Sequence, residues 1–332
     1  MRMPVYLENN NRDGRALDEV SDAVDDVNIA KLKAQAQADA AAWDSTAQFD
    51  SEKDKAAFRD YEAACDRVKS FYKEQHTKQT VEFNVRKRRE FEEGRGKRAR
   101  MGVWEASESF GLWYWLILTR CGKVEMLETL VDDSDPDTEL SQIEHLLQTA
   151  EAIRRDGKPE WMQVVGLVHD LGKLLYFFGS EGQWDVVGDT FIVGCAFPDE
   201  IIYPGSFTEN PDSKHSTYST KYGIYEPNCG LDNVMLSWGH DEYLYHVMKD
   251  QSSLPEEGLA MIRYHSFYPW HREKAYQYLL NEKDRKAMDA VLAFNPYDLY
   301  SKSDEAVNPE KLKPYYQGLI AKFFPPELDC CP

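Results

Sequence analysis

The stretch Val-Val-Gly-Leu-Val-His-Asp-Leu-Gly-Lys, residues 164–173, decides the reading of the fold. It runs apolar up to His169 and Asp170, and a helix this apolar is a buried one. Burying an imidazole beside a carboxylate is costly unless both groups coordinate something. Neighbouring helical positions lie about 100° apart, so the two side chains can serve a single site or two adjacent metals. Gly172 leaves room for close approach of another backbone or a ligand. Lys173, at i+3 from Asp170 and i+4 from His169, falls on the same face and can present an ammonium group to whatever is bound there.

Working outward, the pattern stays helical. Apolar groups recur at i, i+3 and i+4 over 139–155, 160–178, 231–249, 258–265, 272–280 and 282–294. Pro, Gly and Asn cluster between these segments, at 157–160, 207–214 and 226–230, where connections belong. Strand-like stretches are few, at 190–196 and 201–203. A mostly α fold with long functional loops and little β follows. Upstream, helical spacing of Phe58, Tyr61, Ala64, Cys65 and Val68 marks where firm packing begins. Residues 1–45 are polar, acidic and then Ala-rich, and read as a disordered or loosely packed arm. Residues 46–330 read as a single catalytic domain. The charged run 86–100 reads as a solvated helix end followed by a turn at Gly94 and Gly96.

The chain has 332 residues and a net charge of −19, a balance that repels phosphate backbones and speaks against a nucleic-acid partner. Six cysteines without CxxC spacing read as reduced thiols, and the N-terminus has no signal-like apolar run; both point to the cytoplasm. No stretch offers the roughly 18 uninterrupted apolar residues of a membrane span. A monomer is the expected state.

Other candidate ligands gather around the His-Asp pair. His145 lies on a helix 24 residues before His169. His240 opens or begins a helix in the run Trp238-Gly239-His240-Asp241-Glu242, and His265 ends an apolar helix. Asp298 follows Pro296 and Tyr297, in what looks like a shaped turn. Taken singly, His145 or His265 would more often be ordinary helix-face histidines, Asp298 a turn cap, and Asp241 and Glu242 a polar face. As a set, four imidazoles and two carboxylates without a thiolate suit iron or manganese in a dinuclear site, rather than structural zinc or an iron–sulfur centre. His76, His215, His246 and His271 receive no metal role.

With these residues in view, the chain resembles the myo-inositol oxygenase family, whose core is of the HD-domain type. The resemblance rests on LVDDSDPD (130–137), HLLQTAE (145–151), GLVHDLGK (166–173), QWDVVGDTFIVGC (183–195), YEPNCGLDNVMLSWGHDEY (225–243), MIRYHSFYPWH (261–271), FNPYDLYSK (294–302) and KLKPYYQGLIAKFFP (311–325). It implies an HD-domain-like helical bundle and an enzyme that cleaves the ring of myo-inositol with O2. The products are D-glucuronate and water, formed after hydrogen abstraction from a metal-chelated polyol. It implies two iron ions, mixed-valent in the active form, with His145, His169 and Asp298 on one, His240 and His265 on the other, and Asp170 bridging. It also implies inositol contacts at Arg59, Asp132, Asp133, Ser134, Lys173, Gly188, Asp189, His265 and Ser266, with Lys173 and Asp170 catalytic. Such a polyol site calls for many donors and acceptors of mixed charge. The substrate supplies all four electrons, so no nicotinamide or flavin site is needed, and no GxGxxG is present.

The sequence departs from that family at residues 107–123, which include the apolar run 109–118 just before Asp132–Ser134. They read as a non-family insertion, the product of a retained intron rather than a functional module. The competing reading of the whole chain is an HD-domain phosphohydrolase. It accounts for His145, His169, Asp170 and Asp298, but not for His240 and His265.

Overall fold

The computed structural model describes residues 66–94, 99–109, 132–134, 142–300 and 307–331. The N-terminal arm 1–45, Arg59 and the greater part of 107–123 lie outside the described residues.

Among the described residues the chain is mostly helical. Two helices, α1 (Asp66–Lys78) and α2 (Val81–Glu93), come first, with Thr80 accepting the Phe83 amide at the start of α2. Strand β1 (Ala99–Met101) and helix α3 (Val103–Ser109) follow, so residues 107–109 of the expected insertion complete a helix. The central pair is α4 (Gln142–Arg155) and α5 (Glu160–Val168). After the two-residue strands β2 (Ile192–Val193) and β3 (Met235–Leu236) come α6 (His240–Met248), α7 (Glu256–Tyr264), the single turn α8 (Tyr268–His271) and the long α9 (Glu282–Tyr300). Helix α10 (Pro309–Phe323) and β4 (Leu328–Cys331) close the chain. Strand β1 pairs antiparallel with β4, and β2 with β3. No helix among the described residues is long and apolar enough to cross a membrane.

Helices α4 and α5 form the floor of the core. Leu146, Leu147, Ala150 and Ile153 face Trp161, Met162, Val164, Val165 and Val168, all essentially inaccessible to solvent. A Cβ at Gly166 would lie 2.8 Å from Ile153 Cδ1 and 3.0 Å from Ala150 Cα, so the two helices touch backbone to backbone there.

Six expectations turn out differently. The helix expected over 160–178 stops at Val168. Asp170 takes φ −96°, ψ 0°, and a 3-10 helix runs from Leu171 to Phe177. The break has a steric cause: a Cβ at Gly172 would sit 2.1 Å from the His240 carbonyl oxygen, so another backbone does occupy the space that glycine leaves. The 231–249 helix begins only at His240; before it a 3-10 turn at Leu231–Asn233 leads into β3, and the chain is tied to Asn84 of α2 by Trp238 N–H to Oδ1 (2.7 Å) and to Gln79, just before α2, by Nε2 to the Trp238 carbonyl (2.7 Å). Residues 272–280 form turns, because Lys274 and Tyr276 adopt left-handed backbone (φ 62° and 60°). Conversely, α9 runs straight through Pro296, and Asp298 lies on a helix, not in a turn. Tertiary bonds hold that segment: Asn295 Nδ2 to the His265 carbonyl (3.2 Å) and Tyr297 hydroxyl to Asp156 (2.8 Å). Residues 201–203 are bends rather than a strand. In the charged run, Lys87 and Arg88 point inward, to the Gly179 carbonyl (3.0 Å) and to Glu242 (3.0 Å), so that helix end is only partly solvated.

Candidate metal centre

Five helices converge on one buried cluster. His145 comes from α4, His169 caps the C-terminus of α5, His240 is the first residue of α6, His265 caps α7, and Asp298 sits in the last turn of α9. Asp170 lies among them in the break after α5. Its two carboxylate oxygens face different partners. Oδ2 lies 3.6 and 3.7 Å from Nε2 of His145 and His169, and Oδ1 lies 3.4 and 3.5 Å from Nε2 of His240 and His265. Asp298 Oδ1 completes the first group, 3.1 Å from His145 and 3.3 Å from His169. Within each group the two histidine Nε2 atoms are 3.3 Å apart. Two sets of donors, His145, His169 and Asp170, and Asp170, His240 and His265, are each compact enough to hold a metal ion.

Three of the four remote ring nitrogens are already committed; Nδ1 of His145 is buried without a hydrogen-bond partner among the described residues. Nδ1–H of His169 donates to the Gly166 carbonyl (2.9 Å), that of His240 to Val186 (2.8 Å) and that of His265 to Ile262 (3.0 Å). These bonds place a proton on Nδ1 and turn Nε2 into the cluster, where it can accept a cation. The Val186 carbonyl also accepts the His240 backbone N–H, at 2.7 Å, which locks the start of α6 to the loop after the 3-10 helix. The His265 carbonyl is held by His271 Nε2 at 3.1 Å, a positioning contact for a histidine that earned no role from sequence.

Electrostatics favour charged donors facing one another. Burial opposes ionisation of Asp170, but Lys173 and the neighbouring histidines outweigh it and hold the carboxyl well below its usual range. Asp298 is held low in the same way, by His145 and His169 against burial. Lys173 Nζ lies 2.9 Å from Asp132 Oδ2 and 3.0 Å from Asp170 Oδ2. Burial works against its charge, yet the two carboxylates raise its pKa, so it remains an ammonium. Its placement on the Asp170 face is as expected, reached through the 3-10 turn instead of a continuous helix.

Compared with known proteins, the sequence matches the family model described as myo-inositol oxygenase over residues 65–113 and 115–330. Inositol oxygenase 1 of Arabidopsis thaliana is 49% identical over 278 residues, spanning 82% of this chain and 83% of that protein. A probable inositol oxygenase of Oryza sativa subsp. japonica is 48% identical over 279 residues (82% and 84%), and the inositol oxygenase of Homo sapiens 46% over 278 residues (82% and 90%). The chain belongs to the myo-inositol oxygenase family. It is accordingly an enzyme of the oxidoreductase class.

The other positions expected from the myo-inositol oxygenase resemblance scatter more widely. Asp132 is buried against Lys173, with its Oδ1 accepting the Ser134 amide (2.9 Å) and hydroxyl (2.5 Å). Asp133 turns away, its carboxylate 3.4 Å from Arg67 and its amide on Gln183 Oε1. Ser266 Oγ lies 3.3 Å from His240 Nε2, beside the second donor set. Asp189 accepts the Tyr72 hydroxyl at 2.9 Å, and Gly188 has φ +91° with the Phe71 ring where a Cβ would stand. Asp241 and Glu242, expected as a polar face, are buried. Asp241 Oδ1 lies 2.7 Å from His240 Nε2, and its Oδ2 accepts the Ser266 amide (3.1 Å). The available signal was their place in the first turn of a helix that opens on a ligand-type histidine.

Proposed function

We propose that this protein is a non-haem di-iron inositol oxygenase that cleaves the ring of myo-inositol with O2 to give D-glucuronate and water. The observation that carries the reading is Asp170, a single carboxylate whose two oxygens face two histidine pairs. In this reading His145, His169 and Asp298 would hold one iron, His240 and His265 the other, with Asp170 serving both. Bound iron supplies the Lewis acidity that acidifies a chelated hydroxyl and the redox capacity to use O2. The protein's own part is positional. Lys173 keeps its proton and donates to an inositol oxygen, while Asp132 orients the ammonium. Ser134, Asp189 and Ser266 offer further partners, and Gly188, Asp133 and Arg59 complete the proposed polyol site. The single-domain organisation of 46–330, with 107–123 as the product of a retained intron, belongs to the same proposal; a spliced message that contains those codons would refute the intron origin.

The decisive test is aerobic. Purified, Fe(II)-loaded protein should take up O2 when myo-inositol is added, release glucuronate, carry about two irons per chain and show a coupled di-iron EPR signal after partial oxidation. Phosphate release from nucleotides with no O2 uptake would replace this reading with the phosphohydrolase.

A further inference from the structure

Behind the second donor set lies an ion cluster that the chemistry above does not use. Glu242 on α6 and Arg263 on α7 are each almost wholly buried and joined by two parallel bonds, Arg263 Nε to Oε2 at 2.8 Å and Nη2 to Oε1 at 3.2 Å. Arg88 from α2 reaches the same Oε1 (3.0 Å) and the Leu236 carbonyl (2.7 Å), and His246 Nε2 lies 3.2 Å away. Arg263 Nη1 extends the cluster to Asp232 (3.1 Å). Burial opposes the charge on Glu242, but Arg263 foremost, with His246 and Arg88, holds its carboxyl well below the usual range.

The placement of this pair is specific. Glu242 stands two residues after His240, and Arg263 two residues before His265. A bidentate guanidinium–carboxylate pair fixes orientation as well as distance, which an ammonium cannot do. We infer that the Glu242–Arg263 pair, backed by Arg88, sets the separation of His240 and His265 and so governs how tightly the second metal position is held. This rests on the two-metal reading of the site. Glu242 and Arg263 are positioning residues, and their influence is selective. The first donor set stands on α4, α5 and α9: α4 and α5 register through the Gly166 contact, α9 is held by Tyr297 on Asp156 and Asn295 on the His265 carbonyl, and among the described residues no member of the ion cluster bonds to His145, His169 or Asp298.

The test is anaerobic Fe(II) titration of the full-length protein with iron counted per chain, followed by EPR after partial oxidation. Arg263→Lys keeps the charge and removes the fork. Its affinity for one of the two irons should fall roughly 10- to 100-fold, the usual cost of losing an outer-shell partner, with the other unchanged and a mononuclear signal replacing the coupled one. If that variant does not fold, Glu242→Gln combined with Arg263→Gln removes both charges together and should give the same split. Two irons bound with wild-type affinity, or both weakened alike, would overturn the inference. Fewer than two irons in the wild-type protein would instead bring down the two-metal reading itself.

Discussion

His145 and His169 are delivered by two helices that register through apolar contact, with Asp298 added from α9, whereas His240 and His265 sit at helix ends tied down by charge and by backbone carbonyls. On the first side, the fit of Gly166 against Ala150 and Ile153 brings α4 and α5 together, and the ligands follow from the helix faces. On the second, the segment before α6 buries Leu231, Leu236 and Trp238, and polar bonds fix its course in addition. It is held by Gln79, by Asn84 and Arg88 of α2 and by the Val186 carbonyl. Apolar registration tolerates small errors because many weak contacts share the load. A polar mount concentrates its specificity in a few bonds, each expensive to leave half-made.

Asp170 belongs to both sides, so its loss should have the largest effect. Asp170→Asn keeps the shape but leaves one oxygen to bridge, and it strips Lys173 of a partner. Glucuronate formation should become undetectable and iron content fall to about one per chain or less. An Asn variant with two irons and normal turnover would dissolve the idea that one carboxylate unites the halves. Gly172→Ala strikes the seam from the backbone. Its Cβ would meet the His240 carbonyl at 2.1 Å, and overpacking of this kind costs about 1–3 kcal/mol or more. Urea unfolding should show that loss, together with weaker binding of one iron.

The comparison also explains what could be seen in the sequence. The first side is written in local periodicity: an apolar helix, a glycine in it, a His-Asp pair at its end, and a lysine one turn further. The same local rules overreached where tertiary bonds take over. They ran α5 through to 178, although the His240 carbonyl stops it, and they ended α9 at Phe294, although Asn295, Tyr297 and Asp298 carry the helix onward. The second side was legible only as isolated histidines. Its supports join Arg88 to Glu242 across 154 positions and Arg263 to Glu242 across 21, and no periodicity encodes such pairings. Asp241 and Glu242 looked like a solvated face because acidic residues in the first turn of a helix usually are one.

A smaller effect separates the halves by packing alone. Gly166→Ala places a methyl 2.8 Å from the end of Ile153 and 3.0 Å from the Ala150 backbone. The isoleucine can rotate, but the backbone can yield only by parting α4 from α5, so a loss near 1 kcal/mol is expected. The first iron should loosen while the second, mounted on the polar side, is unaffected. Loosening of the second iron alone would reverse the assignment of the two mounts.

The last test concerns pH and the polar side. His76 of α1 stacks on Phe207, with centroids 4.0 Å apart, and meets Phe191 edge-on. Phe191 in turn adjoins Thr190, whose hydroxyl reaches Asp241. Burial lowers the His76 pKa from 6.5 to about 3, against a weaker opposing bond from the Tyr203 backbone. The folded state therefore keeps His76 neutral while the unfolded chain takes up a proton below pH 6.5. Stability is lost as pH falls from 6.5 toward 3, by about 1.4 kcal/mol per pH unit at most, and no further below that. His76→Phe preserves the stack and abolishes this term. Measured by denaturant unfolding, the drop in stability between pH 7 and pH 5 should be smaller in the variant than in the wild type by up to about 2 kcal/mol. His265 and the other histidines are common to both proteins, so their own titration cancels in the difference. An identical pH slope in the two would mean that His76 is protonated within the fold, and that the aromatic stack beneath the second donor set admits a charge that the structure excludes.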